Sequence, residues 1–196
     1  MTLYSYVVAR DYGFAPNPFF GVCTLATCKP MIRKGAAVGD WIVGTGSKGY
    51  GLQGRLVYVM DVSETMSYDE YWRDPRYRNK RPNLRGSLKQ AFGDNIYHKS
   101  RSTGRWTQVN SHHSNQDGTP NPANIAHDTQ APRVLIATNF VYWGRSGPVI
   151  PKHFRDVCAH RGHKCNFLQE FVTSFIAWIR SGGAQGYAGP PAEFPK

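Results

Sequence analysis

Gly39-Asp40-Trp41-Ile42-Val43-Gly44-Thr45-Gly46 decides how the chain is read. An aromatic and β-branched run from Trp41 to Thr45 is opened by Gly39-Asp40 and closed by glycines, and such a run between turn formers makes a short buried strand. Strands of the same kind lie on either side of it. Leu3 to Ala9 ends at the turn Arg10-Asp11-Tyr12-Gly13, Val22 to Thr27 is a second strand, Leu52 to Val62 alternates as a fourth, and Arg133 to Trp143 is the strongest of all. Lys29 to Val38 reads as a connection. Ser67 followed by Glu70 is the capping-box pattern, so a short helix begins there and Pro75 stops it. Ser87 to Phe92 makes a further helical turn, and Pro151 opens another short helix. Phe167, Leu168, Phe171, Val172, Phe175, Ile176 and Ile179 recur at helical spacing until Gly182-Gly183 ends the pattern.

These elements predict an α+β fold, a mixed β-barrel-like core with peripheral helices and a C-terminal amphipathic helix. One domain is expected over residues 1–183, followed by a flexible Gly- and Pro-rich tail over 184–196. No internal repeat and no domain linker is visible. From Ser100 to Ala131 the chain is rich in Ser, Asn, Gly, Pro, Thr and His, a polar loop of a length that usually carries function.

Charge narrows the partners. Against 13 Asp and Glu stand 24 Lys and Arg, a formal net charge of +11 that favours an anionic partner. Residues 73–105 hold ten cations (Arg73, Arg76, Arg78, Lys80, Arg81, Arg85, Lys89, Lys99, Arg101 and Arg105) against two acids, Asp74 and Asp94. That clustering is expected to track a phosphate backbone, and nucleic acid is the expected partner. Gly and Pro interrupt the basic stretch, so no amphipathic membrane-binding helix emerges. There is no apolar run of membrane-spanning length and no signal-peptide order at Met1 to Arg10, so a cytoplasmic location is expected. The four cysteines are then reduced thiols.

Chemistry is concentrated between Lys89 and Asp117, where Asp94, Asn95, Tyr97, His98, His112, His113, Ser114 and Asp117 fall close together. Cleavage of a base from its sugar passes through an oxocarbenium-like state, in which a carboxylate stabilises charge or orients water and an acid protonates the leaving base. Asp94, Asp117 or Asp128 can serve as the carboxylate, and His98, His112 or His113 as the acid. Asp94 with Asn95, and His112 or His113, are the expected catalytic groups. Adjacent residues on an extended chain point opposite ways, so one of the two histidines is expected to act. The competing structural reading of Asp94-Asn95 is a turn bonded to its own backbone. A flipped base stacks on aromatic side chains, and Tyr12, Phe14, Trp41, Tyr97 and Trp106 are the expected base-binding residues, Tyr12 and Phe14 foremost because they flank a proline-shaped loop. Cys23-x4-Cys28 and the segment Cys158-Ala-His160-Arg-Gly-His163-Lys-Cys165 match no common zinc spacing, so no metal is assigned. Gly44-Thr-Gly-Ser-Lys-Gly49 lacks the full phosphate-loop pattern. No cofactor is required, and no obligate protein partner is implied.

Several separated blocks resemble the nucleotide modification associated domain 2 family: Leu3-Tyr-Ser-Tyr-Val-Val-Ala-Arg-Asp-Tyr-Gly-Phe-Ala-Pro-Asn-Pro-Phe19, Thr24-Leu-Ala-Thr-Cys-Lys-Pro30, Gly39 to Gly46, Ser87-Leu-Lys-Gln-Ala-Phe-Gly-Asp-Asn-Ile-Tyr-His98 and Ser111-His-His-Ser114. The resemblance covers roughly residues 3 to 150. It implies modified DNA as the topic, in genomic settings that make hypermodified bases or defend against phages bearing them, without stating a reaction. Gly39 to Gly46 is also similar to the strand entry of PUA-like barrels, which take a flipped or modified base into an aromatic pocket. Together these give the expectation of a monofunctional DNA glycosylase that excises a modified base, hypermodified cytosine being the expected one, from double-stranded phage DNA. The alternatives are a non-catalytic reader of modified bases and an enzyme acting on free modified nucleotides.

Overall fold

The computed structural model describes residues 1–159 and 161–194. Its strands are β1 (Leu3–Val8), β2 (Cys23–Leu25), β3 (Trp41–Gly46), β4 (Leu56–Asp61), β5 (Glu64–Ser67), β6 (Tyr97–Lys99), β7 (Trp106–Gln108), β8 (Arg133–Ala137), β9 (Asn139–Tyr142), β10 (His163–Lys164) and β11 (Gly186–Tyr187). The helices are α1 (Pro30–Gly35), α2 (Tyr68–Arg73), α3 (Leu88–Ala91), α4 (Pro122–Asp128) and α5 (Gln169–Ser181), with short 3₁₀ turns between them. The fold is mixed α and β, as its sequence predicts. The chain forms two compact units: Met1–Tyr12, Ala36–Ser63 and the chain from Ala137 onward make the first, and Gly13–Gly35 with Glu64–Ile136 make the second.

The first unit is built on a six-stranded sheet in the order β10-β1-β3-β4-β9-β11. β3, the stretch from which the reading started, is buried at every position. It pairs in parallel with β1 from Leu3↔Trp41 to Val8↔Gly46, and antiparallel with β4. Gly44 sits where a Cβ would collide with the Tyr58 ring and Val8, which explains a glycine inside a strand. The apolar stripe of α5 (Val172, Phe175, Ile176, Ile179) closes over Leu3, Trp41, Val43, Val59 and Val141.

One expectation is corrected in this unit. No sheet closes into a barrel among the described residues, because the outermost strands β10 and β11 are two-residue pairings that do not meet. The Gly- and Pro-rich segment makes contacts to the same unit. β11 pairs in parallel with β9, Glu193 accepts from Arg10 at 2.8 Å, and the Ala192 N–H donates to Asp11 at 3.0 Å. Proline limits the ladder hydrogen bonds such a segment can make, but not its side-chain and carbonyl anchors: Arg145 donates to the Pro191 carbonyl at 3.0 Å.

The second unit holds the three-stranded sheet β2-β8-β5 and the hairpin β6-β7. The capping box at Ser67 and Glu70 starts α2 as expected. The long polar stretch is more ordered than its composition implies. It contains β7 and α4, the latter opened by the Asn121 side chain accepting from the Asn124 N–H and by Pro122 in its first turn. Lys29 to Val38 likewise contains α1, begun by Pro30. Among the described residues, no helix is long and apolar enough to cross a membrane.

Candidate active site

In the second unit, β2 leads through Ala26 and Thr27 into a turn at Cys28 and Lys29 whose φ angles are 57° and 40°, after which Pro30 starts α1. A left-handed backbone is uphill for residues carrying a Cβ, by about 1 kcal/mol or more each, and persists only where the surroundings over-determine it. Here they do. The Cys28 N–H donates to Asp128 Oδ1 at 2.7 Å, and the Cys28 carbonyl accepts from Arg33 Nε at 2.8 Å. Arg33 is fully buried, and its remaining N–H groups donate to the carbonyls of Asp128 (2.7 Å), Arg133 (2.8 Å) and Ala131. A guanidinium fork gathers several acceptors at once, so one side chain from α1 ties the Cys28 turn to the end of α4.

That tie brings three chemical groups together. Cys28 Sγ lies 3.6 Å from His113 Nε2, and His113 Nδ1 lies 2.9 Å from Asp128 Oδ2. Asp128 is completely buried. Its Oδ2 also accepts from the Tyr97 hydroxyl at 2.9 Å, which in turn accepts from Gln108 Nε2 at 3.0 Å. The His113 carbonyl is held by Asn124 Nδ2 at 2.8 Å, and the Phe14 ring packs on the imidazole with centroids 4.7 Å apart. Burial works against a charged imidazole. The hydrogen bonds to Asp128 and Cys28, with the charges of both groups, outweigh it and push His113 up to about 9. Burial would raise the Asp128 carboxyl, but the His113 and Tyr97 hydrogen bonds and the His113 and Arg33 charges hold it below its usual value. At neutral pH the pair is imidazolium and carboxylate.

Ligand atoms of Cys28, His113 and Asp128 all lie within 4.8 Å of one another, which also raises a metal site. The hydrogen bonding argues otherwise. Both Asp128 oxygens are taken by the Cys28 N–H, the Tyr97 hydroxyl and His113, which leaves Sγ and Nε2 alone facing each other, short of the three or four ligands a zinc centre needs. A thiol, an imidazole and a buried carboxylate in this order are chemically able to support covalent catalysis.

The remaining expected residues are distributed differently. Asp94 is 1% exposed and accepts from the Thr24 hydroxyl at 2.5 Å and the Tyr71 hydroxyl at 2.9 Å. Asn95 is 1% exposed and donates to the carbonyls of Tyr71 and Tyr77. Both are packed into the unit through partners distant in sequence. His112 is exposed and packs edge-on against Phe14 and Phe92. Of the aromatics, Phe14 and Tyr97 reach the Cys28 site. Trp41 is core in the first unit, Tyr12 lies under Arg10, and Trp106 packs its edge on Tyr68.

Among the expected phosphate contacts, Lys80 is corrected. It is 1% exposed and donates to Asn17, Val22 and Thr24; burial lowers it to about 8, only partly opposed by the Asp94 charge. Arg76 is committed to Asp74 (2.7 Å) and Glu64 (3.0 Å), and Arg81 stacks over the Trp72 ring at 3.8 Å. Arg73, Arg78, Arg85, Lys89, Lys99, Arg101 and Arg105 are exposed. Sequence reasoning weighed Cys28 only as a zinc ligand. The signal it passed over was a cysteine immediately before Lys29-Pro30, with histidines and an aspartate far along the chain, the pattern of a thiol nucleophile.

No curated protein and no solved structure matches the chain. The model of the nucleotide modification associated domain 2 family matches residues 1–196, its entire length, and spans both units. The chain that holds Cys28 against His113 and Asp128 therefore belongs to the nucleotide modification associated domain 2 family.

Proposed function

We propose that this protein is a cysteine-dependent enzyme that acts on a modified base in DNA, with Cys28 as nucleophile, His113 as acid and base, and Asp128 as the group that orients His113. The observation that carries the reading is the relay of 3.6 Å and 2.9 Å from sulfur through imidazole to a buried carboxylate. A thiol attacks as its thiolate, and a neighbouring imidazolium stabilises that anion. Cys28 Sγ adds to an electrophilic sp² carbon of the base or its substituent while the thiol proton resides on His113 Nε2. His113 returns that proton to the leaving group, and water, deprotonated by His113, then releases the carbon from sulfur. The family supports nucleotide modification as the setting, and the exposed cations from Arg73 to Arg105 support a polyanion as the partner.

Hydrolytic excision of a base, expected from the sequence, calls for a carboxylate facing the sugar. Asp94 and Asn95 are buried with their hydrogen bonds directed into the unit, so the geometry favours the thiol. The test is incubation with duplexes carrying modified or unmodified cytosine, followed by intact-protein mass spectrometry and analysis of the DNA. The expected result is turnover or a trapped adduct on Cys28, lost by roughly 10³-fold or more in Cys28→Ala. Alkali-labile sites formed equally well by Cys28→Ala would restore the excision reading, and retarded migration with no chemistry in either protein would make this a reader.

A further inference from the structure

A second concavity of the same unit, about 280 Å³, opens between α2 and the β6-β7 turn. Its walls include Trp72 and His98, with Arg73, Lys99 and Arg101 against one acid, Asp69, although Lys99 carries its ammonium over the Trp106 ring, 5.1 Å from the centroid. None of the three forms an ion pair among the described residues. Asp69 is partly occupied, since it accepts from the Lys99 backbone N–H at 2.7 Å. The acids beyond Arg73 are also engaged: Glu64 and Asp74 pair with Arg76, and Glu70 caps α2. The pocket therefore keeps an excess of positive charge over its one acid.

Its aromatic wall is not a platform for a base. His98 stacks on Trp72 at 4.3 Å and 12°, and Arg81 lies 3.8 Å from the same ring centroid, so both faces of the indole are covered. His98 also keeps its buried Nδ1 without a hydrogen-bond partner. Residues adjacent in a strand project to opposite sides. Tyr97 turns to Asp128 and His98 to this pocket, so the two sites lie on opposite sides of β6.

We propose that this pocket is a phosphate subsite, held by Arg73 and Arg101, which grips the strand beside the nucleotide presented to Cys28. The assignment of the ligand as substrate rests on the thiol reading above; the anion site itself does not. Because the sites flank a strand, a backbone phosphodiester reaches this pocket more readily than the phosphate of the reacting nucleotide.

The experiment titrates the full chain with inorganic phosphate, a deoxynucleoside monophosphate and a short oligodeoxynucleotide, following the His98 ring by NMR and binding by Trp fluorescence. Each is repeated in Arg73→Gln/Arg101→Gln. Burial first, and then Arg81 and Arg73, hold the His98 imidazole below its usual value against Asp69, so a bound anion should raise it. The expected result is an upward shift of His98 with phosphate, and an oligonucleotide affinity at least about fivefold weaker in the double variant, its salt slope flatter by roughly 1 to 2. Equal loss for the monophosphate identifies a free nucleotide as the source, and loss confined to the oligonucleotide identifies a strand. Unchanged affinities together with an unmoved His98 overturn the subsite. Alkylation of Cys28, which the double variant leaves intact, reports separately on the thiol reading.

Discussion

His113 makes the protein's stability depend on pH in a way that can be worked out in advance. Its folded value is pushed up to about 9, from an ordinary histidine value near 6.5. A group whose folded value is raised binds its proton more tightly in the native state, so its contribution is fully present below about pH 6.5 and is lost as pH rises through about 9. The rise from 6.5 to about 9, at about 1.4 kcal/mol per pH unit, sets an upper bound of about 3.5 kcal/mol. Burial reduces it and the bonds to Asp128 and Cys28 create it, so removing the imidazole in His113→Gln removes the dependence. A second buried group runs the other way. Burial lowers Lys80 to about 8, only partly opposed by the Asp94 charge, so its proton is lost sooner in the folded state and stability rises with pH between about 8 and 10.5. Wild-type profiles mix the two trends, whereas the difference between wild type and His113→Gln isolates the histidine. Urea unfolding between pH 6 and 9.5 should show that difference shrinking by on the order of 2 kcal/mol across the window. A difference constant with pH, or one that grows, would refute the imidazolium–carboxylate pair.

Other consequences can be measured more directly. Iodoacetamide should alkylate Cys28, and Asp128→Asn should slow that reaction by about tenfold or more, because the imidazolium no longer has its carboxylate; peptide mapping reads both. Cys23, fully buried and with its thiol pushed up to about 12, should stay unmodified in the same samples. Arg33→Met should cost about 3 kcal/mol or more in urea unfolding, since it strips a buried donor from four carbonyls, and should slow Cys28 alkylation in whatever fraction remains folded. Lys80→Met should lower stability by about 3 kcal/mol but leave the salt dependence of DNA binding unchanged, whereas Arg73→Gln should do the reverse.

How far the sequence reached depends on which interactions are local. β3, α2 and α5 were legible because a buried apolar run, a capping box and a helical stripe are each written within a few consecutive residues. That the six-stranded sheet stays open was not, because closure depends on whether β10 and β11 meet, and no local pattern encodes that. His113 and Phe14 were legible as chemistry-bearing residues. Cys28 and Asp128 sit 100 positions apart, and their bond exists only because Arg33 gathers carbonyls from both ends of that interval. Lys80 was misread for the same reason: its neighbours in sequence are cations, while its neighbours in space are Asn17, Thr24 and the nearby Asp94 charge.

The Cys28–Asp128 bond also joins two questions that are normally separate. One carboxylate oxygen fixes the backbone of the strained turn, and the other fixes the imidazole that faces the sulfur. Thiol and imidazole are therefore placed by a single rigid group rather than by two independent supports, and an error in one is carried to the other. The positive φ angles at Cys28 and Lys29 are uphill, so without Asp128 Oδ1 the turn has reason to relax and withdraw the sulfur. Asp128→Asn retains a carbonyl that can accept from the Cys28 N–H but lacks the charge that keeps His113 protonated, while Asp128→Ala loses both. If the turn and the charge act as argued, Asp128→Asn preserves the position of Cys28 and lowers its reactivity, and Asp128→Ala also melts the turn, visible as faster amide exchange at Cys28 and Lys29. Equal amide exchange in the two variants would mean that Arg33 alone holds the turn and that Asp128 serves only the histidine.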